Sequence, residues 1–337
     1  MIYHARSLGA MNCAPTPTGR GMKSILIHQY GGTEVLKLEE IPIPSFKKNE
    51  ILLQVKAAGV NPVDLKIRKG FLKDRLPNVF PITLGWDASG VVEAVGSEVK
   101  GFKPGDEVMA YTRKEVIHDG TYAEYIVVTS EHLAFKPKKS SFQEAAVLPL
   151  AGLTAYQVLF ESLKIKSGEK ILIHAGAGGV GGYAIQMAKL FGAYVLTTSS
   201  ASNFDYVKGL GADEVIDYRA NDFVKQILEK NAEGLDAVFD TVGGDVQKRS
   251  VDVLKKGGRL TSILALDETF FKGKPIQIGY VFVRPDAEQL ALLGKWVEKG
   301  NLKITVSHVF PLREVAMAHQ IQESGHGYGK LALLISP

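Results

Sequence analysis

The chain has 337 residues, of which 45% are hydrophobic and 23% charged, with a formal net charge of +4; the length allows about two domains with real cores, and the composition excludes a disordered or fibrous chain. Apolar runs such as residues 145–153 fall short of the roughly 18 residues of a membrane span, and Lys136, Lys138 and Lys139 read as a solvated turn, not the basic stripe of a nucleic-acid-binding protein. The single cysteine, Cys13, excludes an intrachain disulfide and a cysteine-based zinc site, which fits a reducing, cytoplasmic compartment.

Residues 1–21 read as a disordered leader or cloning remnant: Arg6 and Arg20 are its only charged side chains, and it has no apolar run with a cleavage site. A short basic organelle presequence is the alternative. Met22 begins a strand pattern, and short β segments at 24–29, 35–39, 50–58, 90–95, 107–110 and 122–128, separated by glycine and proline, predict a β-rich domain. Within it, residues 61–69, with Pro62 in a first helical turn, predict a short helix that contributes to the site.

From about Ser141 the period changes. Helices are expected at 142–162, 180–191 and 203–210, alternating with strands at 170–174, 194–198, 214–216, 237–240 and 259–264. This alternation predicts an α/β doubly wound parallel sheet with helices on both faces, whose ligands lie beyond the carboxyl ends of the strands. After Lys274 the pattern weakens into an apolar stretch at 276–283, helices at 285–299 and 315–323, and strands at 303–310 and 330–335, a tail expected to return to the first domain. The expected division is 22–144, 145–280 and 281–337.

The strand at 170–174 runs directly into Gly176-Ala177-Gly178-Gly179-Val180-Gly181, a G-x-G-x-x-G that opens a helix. Gly176 suits the tight turn, Gly178 lets the backbone approach a pyrophosphate, and Gly181 lets the helix pack closely on the strand. The place about 20 residues further on, where an acidic side chain holds the ribose of NAD, is filled by Thr197-Thr198-Ser199-Ser200-Ala201-Ser202-Asn203. No carboxylate there repels a 2′-phosphate, and Ser199, Ser200 and Asn203 offer donors, so NADPH is favoured over NADH. Ser202 or Asn203 as a plain helix cap is the other reading. With no cysteine ligands for zinc, hydride transfer is expected to proceed without a metal, which suits electron-poor acceptors such as quinones and conjugated enones.

Further motifs accompany the loop: Asn61-Pro62-Val63-Asp64, the run from Gly101 to Val108, Gly120-Thr121-Tyr122-Ala123-Glu124-Tyr125, and the run from Leu148 to Ala155. The runs from Gly211 to Tyr218 and from Gly325 to Lys330 follow, with Gly168, Glu169, Gln186 and Lys189 at fixed spacing around the glycine loop. With them the chain resembles the zinc-independent quinone oxidoreductase branch of the medium-chain dehydrogenase/reductase superfamily. Where zinc-bearing relatives place Gly-His-Glu, it has Gly85-Trp86-Asp87. The resemblance implies a GroES-like catalytic domain beside a Rossmann NADP-binding domain, a homodimer or else a tetramer, and a small-molecule quinone or enone substrate. It implies that Asn61 and Thr154 line the nicotinamide pocket, that Gly178, Gly179 and Val180 bind the pyrophosphate, and that Ser200 and Tyr218 hold the 2′-phosphate. Phe282 and Val283 would present backbone groups to the carboxamide, with Val242, Leu264 and Lys330 also at the cofactor. Lys66 is either an ammonium aimed at cofactor or substrate or a solvated helix lysine. Tyr111, His174, His326 and Asp240 are lesser candidates, each with a plain packing or hydrogen-bonding role as the alternative. One- and two-electron reduction share these motifs, and a non-catalytic NADPH-binding sensor or structural protein is the rival from another class.

Overall fold

The computed structural model of the protein describes residues 21–325 and 327–336. Residues 1–20 of the expected leader and the candidate His326 lie outside the described residues.

In chain order the first part comprises β1 (Gly21–Ile27), β2 (Lys37–Pro42), β3 (Glu50–Val60), α1 (Pro62–Arg68), β4 (Ile82–Thr83), β5 (Asp87–Val95), β6 (Glu107–Tyr111), β7 (Tyr125–Thr129) and β8 (Leu133–Phe135). β1 pairs antiparallel with β2 and β4. β3 is the spine of a larger sheet in which its first half pairs with β7 and its whole length with β5. Ile51, Leu53 and Val55 point from alternate positions of β3 into the core and are fully buried, as the period of two requires.

The second part begins with α2 (Phe142–Ala146) and α3 (Pro149–Tyr156), where one long helix is expected. Pro149 explains the break: it has no amide proton to bond back into the preceding turn, so the helix restarts with proline at its first position. The end of the stretch, Gln157–Ser162, is a π-helical turn. There follow β9 (Lys170–Ile173), α4 (Gly179–Leu190), β10 (Tyr194–Ser199), α5 (Phe204–Gly209), β11 (Glu214–Asp217), α6 (Phe223–Lys230), β12 (Leu235–Asp240), α7 (Gly244–Arg249), β13 (Leu254–Ser262), α8 (Glu268–Phe271) and β14 (Gln277–Tyr280). The strands form one six-stranded sheet in the order β11–β10–β9–β12–β13–β14, and every pair is parallel. The order in which successive strands are laid down reverses between β9 and β12, which makes the crevice at the carboxyl end of β9 the place for a ligand. Ile171, Leu172, Ile173, Ala237, Val238 and Phe239 are fully buried in these two central strands, the continuous apolar run of a sheet covered on both faces.

The tail supplies α9 (Ala287–Glu298), β15 (Val306–Pro311), α10 (Val315–Ser324) and β16 (Lys330–Leu334). β16 pairs antiparallel with the second half of β3, Leu331 opposite Val60, so the larger sheet reads β15–β16–β3–β5–β6–β8 with β7 branching from β3. This register sets Lys330, at the start of β16, beside Asn61, the residue that follows β3.

Candidate functional site

The glycine loop leaves β9 through Ala175, whose φ of 50° takes the left-handed turn expected of Gly176. Gly176 is required for a different reason: a Cβ there would stand 2.1 Å from Thr197 Oγ1. At Gly181 a Cβ would stand 2.4 Å from the Ala175 carbonyl oxygen, so only glycine lets α4 start this close to the strand, and at Gly179 it would meet Lys330 Cδ at 2.3 Å. At Gly178, the residue capping α4, the nearest atom to a Cβ is 3.3 Å away. The loop therefore presents bare backbone at the amino end of a 12-residue helix, where unpaired N–H groups and the helix dipole favour an anion. A dinucleotide pyrophosphate fits this cradle.

His174 secures the loop. Its Nδ1 and Nε2 lie 3.2 Å and 2.8 Å from the hydroxyls of Thr198 and Ser250, and burial lowers its pKa to about 4, so the ring is neutral. Asp240 accepts from the backbone of Val242 and Gly243 and from Gln247 and Ser262. It ties the loop after β12 to β13. Both residues take the hydrogen-bonding roles given as their alternatives.

A cleft of about 290 Å³ opens from the cradle toward α1, bounded by Gly178–Gly181, Asn61, Leu150, Thr241, Ile263 and Lys330 among others. Asn61 is buried at its mouth and caps α1 through a reciprocal arrangement with Asp64, which accepts the Asn61 amide proton at 2.8 Å. The Asn61 side chain is held at both ends. Its oxygen accepts from Lys330 Nζ, which also donates to the Val60 carbonyl at 2.8 Å, and its Nδ2 donates to Asp87 Oδ2 at 2.9 Å. A cation at one end and a carboxylate at the other fix which way the amide points. Asp87 Oδ1 accepts the Leu150 N–H at 2.8 Å, one of the donors left free where Pro149 restarts the helix. Burial raises Asp87 to about 6 and the Lys330 charge opposes the rise, while burial lowers Lys330. Thr154, buried on α3, donates to the Leu150 carbonyl at 2.6 Å. Both oxygens of Asp87 are thus engaged where zinc-bearing relatives place Gly-His-Glu, and among the described residues no three His, Cys, Asp or Glu side chains form a metal-holding group.

Behind α1 the polar chain continues into the core. Tyr122 donates to Asp64 Oδ2 at 3.0 Å and lies 3.3 Å from His319 Nε2, while Arg68 Nη1 lies 3.0 Å from His319 Nδ1. Since arginine only donates, Nδ1 accepts and the proton sits on Nε2, facing the Tyr122 oxygen. Arg68 also donates to Glu323. Burial raises Asp64 to about 7 and, with the Arg68 charge, lowers His319 to about 3.

Lys66 lies one turn beyond Pro62 on α1, half-buried and in no ion pair among the described residues, and burial lowers its pKa. Val283 is buried and accepts from Tyr111 at 3.5 Å, and the Phe282 ring stands edge-on to Trp86 at 6.4 Å. Val242 is exposed beyond β12, and the Leu264 amide donates to Ser262 at 3.0 Å.

At the far end of the crevice, Ser199 closes β10 opposite Asp217 of β11. Ser200 Oγ lies 3.0 Å from Ser202 Oγ and 3.3 Å from Asn203 Nδ2, and Asn203 also donates to the Gly327 carbonyl at 3.2 Å. Neither Ser202 nor Asn203 caps α5 through its side chain. Tyr218 is exposed, and the guanidinium of Arg219 lies over its ring at 5.6 Å with Nε donating to the hydroxyl at 3.3 Å. Arg219 was missed in the sequence; its signal was a cation directly after Tyr218 at a strand end. The cleft therefore brings together Asn61, Gly178 to Gly181 and Lys330, while Ser199, Ser200, Asn203 and Tyr218 gather at the ends of β10 and β11.

Residues 47–138 match the alcohol dehydrogenase GroES-like domain and residues 210–333 the zinc-binding dehydrogenase domain. A chloroplastic NADPH-dependent alkenal/one oxidoreductase of Arabidopsis thaliana is 37% identical over 94% of this chain and 80% of its own length. The quinone oxidoreductase of Coxiella burnetii superposes with a TM-score of 0.87 at 39% identity, over 94% of this chain and all of its own. That of Escherichia coli, solved with NADPH, gives 0.85 at 31%, over 93% of this chain and all of its own.

Proposed function

The chain belongs to the quinone oxidoreductase branch of the medium-chain dehydrogenase/reductase superfamily, a family of pyridine-nucleotide-dependent oxidoreductases, and we propose that it uses NADPH to reduce quinones or α,β-unsaturated carbonyls. The observation that carries this reading is the single cleft joining the bare-backbone cradle at Gly178 to the clamped amide of Asn61. The alkenal/one and quinone oxidoreductases among the relatives support the acceptor class.

Bound there, the nicotinamide supplies a hydride to an electron-poor carbon or quinone system. The chain's own part is orientation and exclusion of water, which for a well-positioned pair contributes about 7–11 kcal/mol of the barrier. Asn61, held by Lys330 and Asp87, and Thr154 form one wall of the nicotinamide pocket, and Phe282 and Val283 offer backbone groups to the carboxamide. Lys66 shares the Pro62 face of α1, since residues four apart are neighbours on a helix. Its ammonium stabilises negative charge developing on the acceptor oxygen, and water supplies the proton. Lys330 sets Asn61 and so acts as a positioning residue.

NADPH is favoured over NADH because the ends of β10 and β11 gather Ser199, Ser200, Asn203 and Tyr218, the carboxylate opposite Ser199, Asp217, accepts the Arg219 backbone N–H, and the Arg219 side chain adds the cation that a 2′-phosphate recruits. Val242 and Leu264 flank the cofactor from the loops after β12 and β13. The reading includes a catalytic domain of residues 22–144 and 281–337, a cofactor domain of residues 145–280 and a homodimer, as the resemblance implies, and a cytoplasmic location, as the single cysteine suggests. Among the described residues no helix is long and apolar enough to cross a membrane.

The test is NADPH and NADH oxidation with 1,2-naphthoquinone and with a simple enone, alongside radical detection and light scattering. Turnover of either acceptor with preference for NADPH is expected. Tight NADPH binding with no turnover of either would instead favour a non-catalytic sensor.

A further inference from the structure

We propose that Arg75 and Arg113 form an anion subsite at the substrate end of the cleft, so that the preferred acceptor is an enone or quinone bearing a carboxylate. The inference rests on the reductase reading above. The guanidinium carbons of Arg113 and Arg75 lie 4.6 Å and 5.3 Å from the centroid of one ring, that of Phe282. Arg75 also lies 5.1 Å from the Tyr280 ring and donates to its hydroxyl at 2.5 Å. The two arginines come from different parts of the chain, one after α1 and the other after β6, and converge on the segment that follows β14.

Three facts make this more than a solvated surface. First, Arg68, Arg249, Arg259, Arg284 and Arg313 each face a carboxylate, whereas Arg75 and Arg113, like Arg219 at the other end of the site, have no ion-pair partner among the described residues. Two like charges gathered on one ring without a counter-charge are unfavourable until an anion arrives. Secondly, a guanidinium over an aromatic face leaves N–H groups to donate: Arg75 commits Nη2 to the Tyr280 hydroxyl, and its other N–H groups and those of Arg113 can meet a planar carboxylate. Thirdly, the ring they share stands edge-on to Trp86, whose chain neighbour Asp87 holds Asn61. Arg113 is also close enough to Tyr111 to oppose the rise that burial imposes on that hydroxyl. An acceptor carbonyl beside Asn61 and Lys66 would thus direct an acidic substituent toward the two guanidinium groups.

The probe pair is (E)-4-oxopent-2-enoate and its methyl ester, which share the enone and differ in charge. Reduction adds a hydride from NADPH and a proton from water across the carbon–carbon double bond, giving 4-oxopentanoate, or its ester, and NADP⁺. The acid is expected to show kcat/KM about tenfold above the ester, and the preference should shrink as salt screens it. In the Arg75→Gln/Arg113→Gln double variant the preference disappears, and each single variant loses part of it. The wild-type salt dependence tests the same point should the double variant fold poorly. Equal turnover of acid and ester by the wild type overturns the anion subsite and leaves the reductase reading intact; no turnover of either, or of 1,2-naphthoquinone, removes both.

Discussion

Asn61 and Asp87 are joined by a 2.9 Å hydrogen bond from the side-chain amide to the carboxylate. The bond links the residue capping α1 to the first residue of β5, and the other Asp87 oxygen takes the amide proton of Leu150. One buried carboxylate therefore sets the position of the Asn61 amide, proposed to line the nicotinamide pocket, and of the start of α3.

Replacing Asp87 with alanine leaves two buried donors without their acceptor, Asn61 Nδ2 and the Leu150 N–H, and removes the negative charge that favours the Lys330 ammonium. Each buried donor left unsatisfied costs about 1–3 kcal/mol, so the two together cost about 2–6 kcal/mol. Urea unfolding should show a loss of that size with an unchanged slope; a loss below about 1 kcal/mol, the scale of a surface pair, would contradict the clamp.

His319 gives the fold an acid-sensitive component. Its folded pKa of about 3 lies below the ordinary 6.5, so between these values the unfolded chain binds a proton that the folded chain refuses. The contribution is complete above pH 6.5 and is lost as pH falls toward 3. Glutamine at this position accepts from Arg68 and donates to Tyr122 without titrating. The stability advantage of the wild type over His319→Gln should therefore be about 2 kcal/mol smaller at pH 5 than at pH 7.5. Asp64 and Asp87, raised to about 7 and 6, act in the opposite sense: the fold retains protons that the unfolded chain loses above the ordinary 3.8, so their contribution declines as pH rises through that range. Both carboxylates are present in the two proteins and cancel in the comparison. An advantage that does not change with pH would contradict a neutral, buried His319.

Arg219 stacks on Tyr218 beside the serines at the end of β10. Removing its charge-assisted contact in Arg219→Gln should lower the preference for NADPH over NADH, measured as a ratio of kcat/KM, about tenfold. An unchanged ratio would place the 2′-phosphate elsewhere.

Lys66 titrates below the ordinary lysine value because it is half-buried. Its ammonium is expected to be the acting form, so kcat should decline on an alkaline limb that begins below 10.5. Lys66→Met should lower kcat by about 10–100-fold and abolish that limb. The same limb in the variant would assign it to another group.

Much of the architecture was legible in the sequence because its signals are local. The run from Lys170 through Gly181 holds strand, turn and helix within a dozen residues, and Pro62 announced the start of α1. The break in the helix after Ala146 was also signalled, by Pro149, but its consequence, a free Leu150 N–H facing Asp87, depends on tertiary packing. The clamp on Asn61 had no local signature, since Asp87 lies 26 residues away and Lys330 lies 269 away. The same holds for the contact of Arg68 with His319, which are 251 residues apart. Spacing located the loop that requires glycine; it did not reveal that Ala175 takes the strained turn while Gly176 makes room for Thr197.

If a cofactor seated between Gly178 and Asn61 gives its hydride directly to carbon, deuterium from NADPH labelled at nicotinamide C4 must pass to the acceptor. With a simple enone as acceptor, the expected product is a saturated ketone carrying one deuterium at the carbon β to the carbonyl, from one of the two C4 positions only. Product formed without that label, or no product despite bound cofactor, would contradict direct transfer.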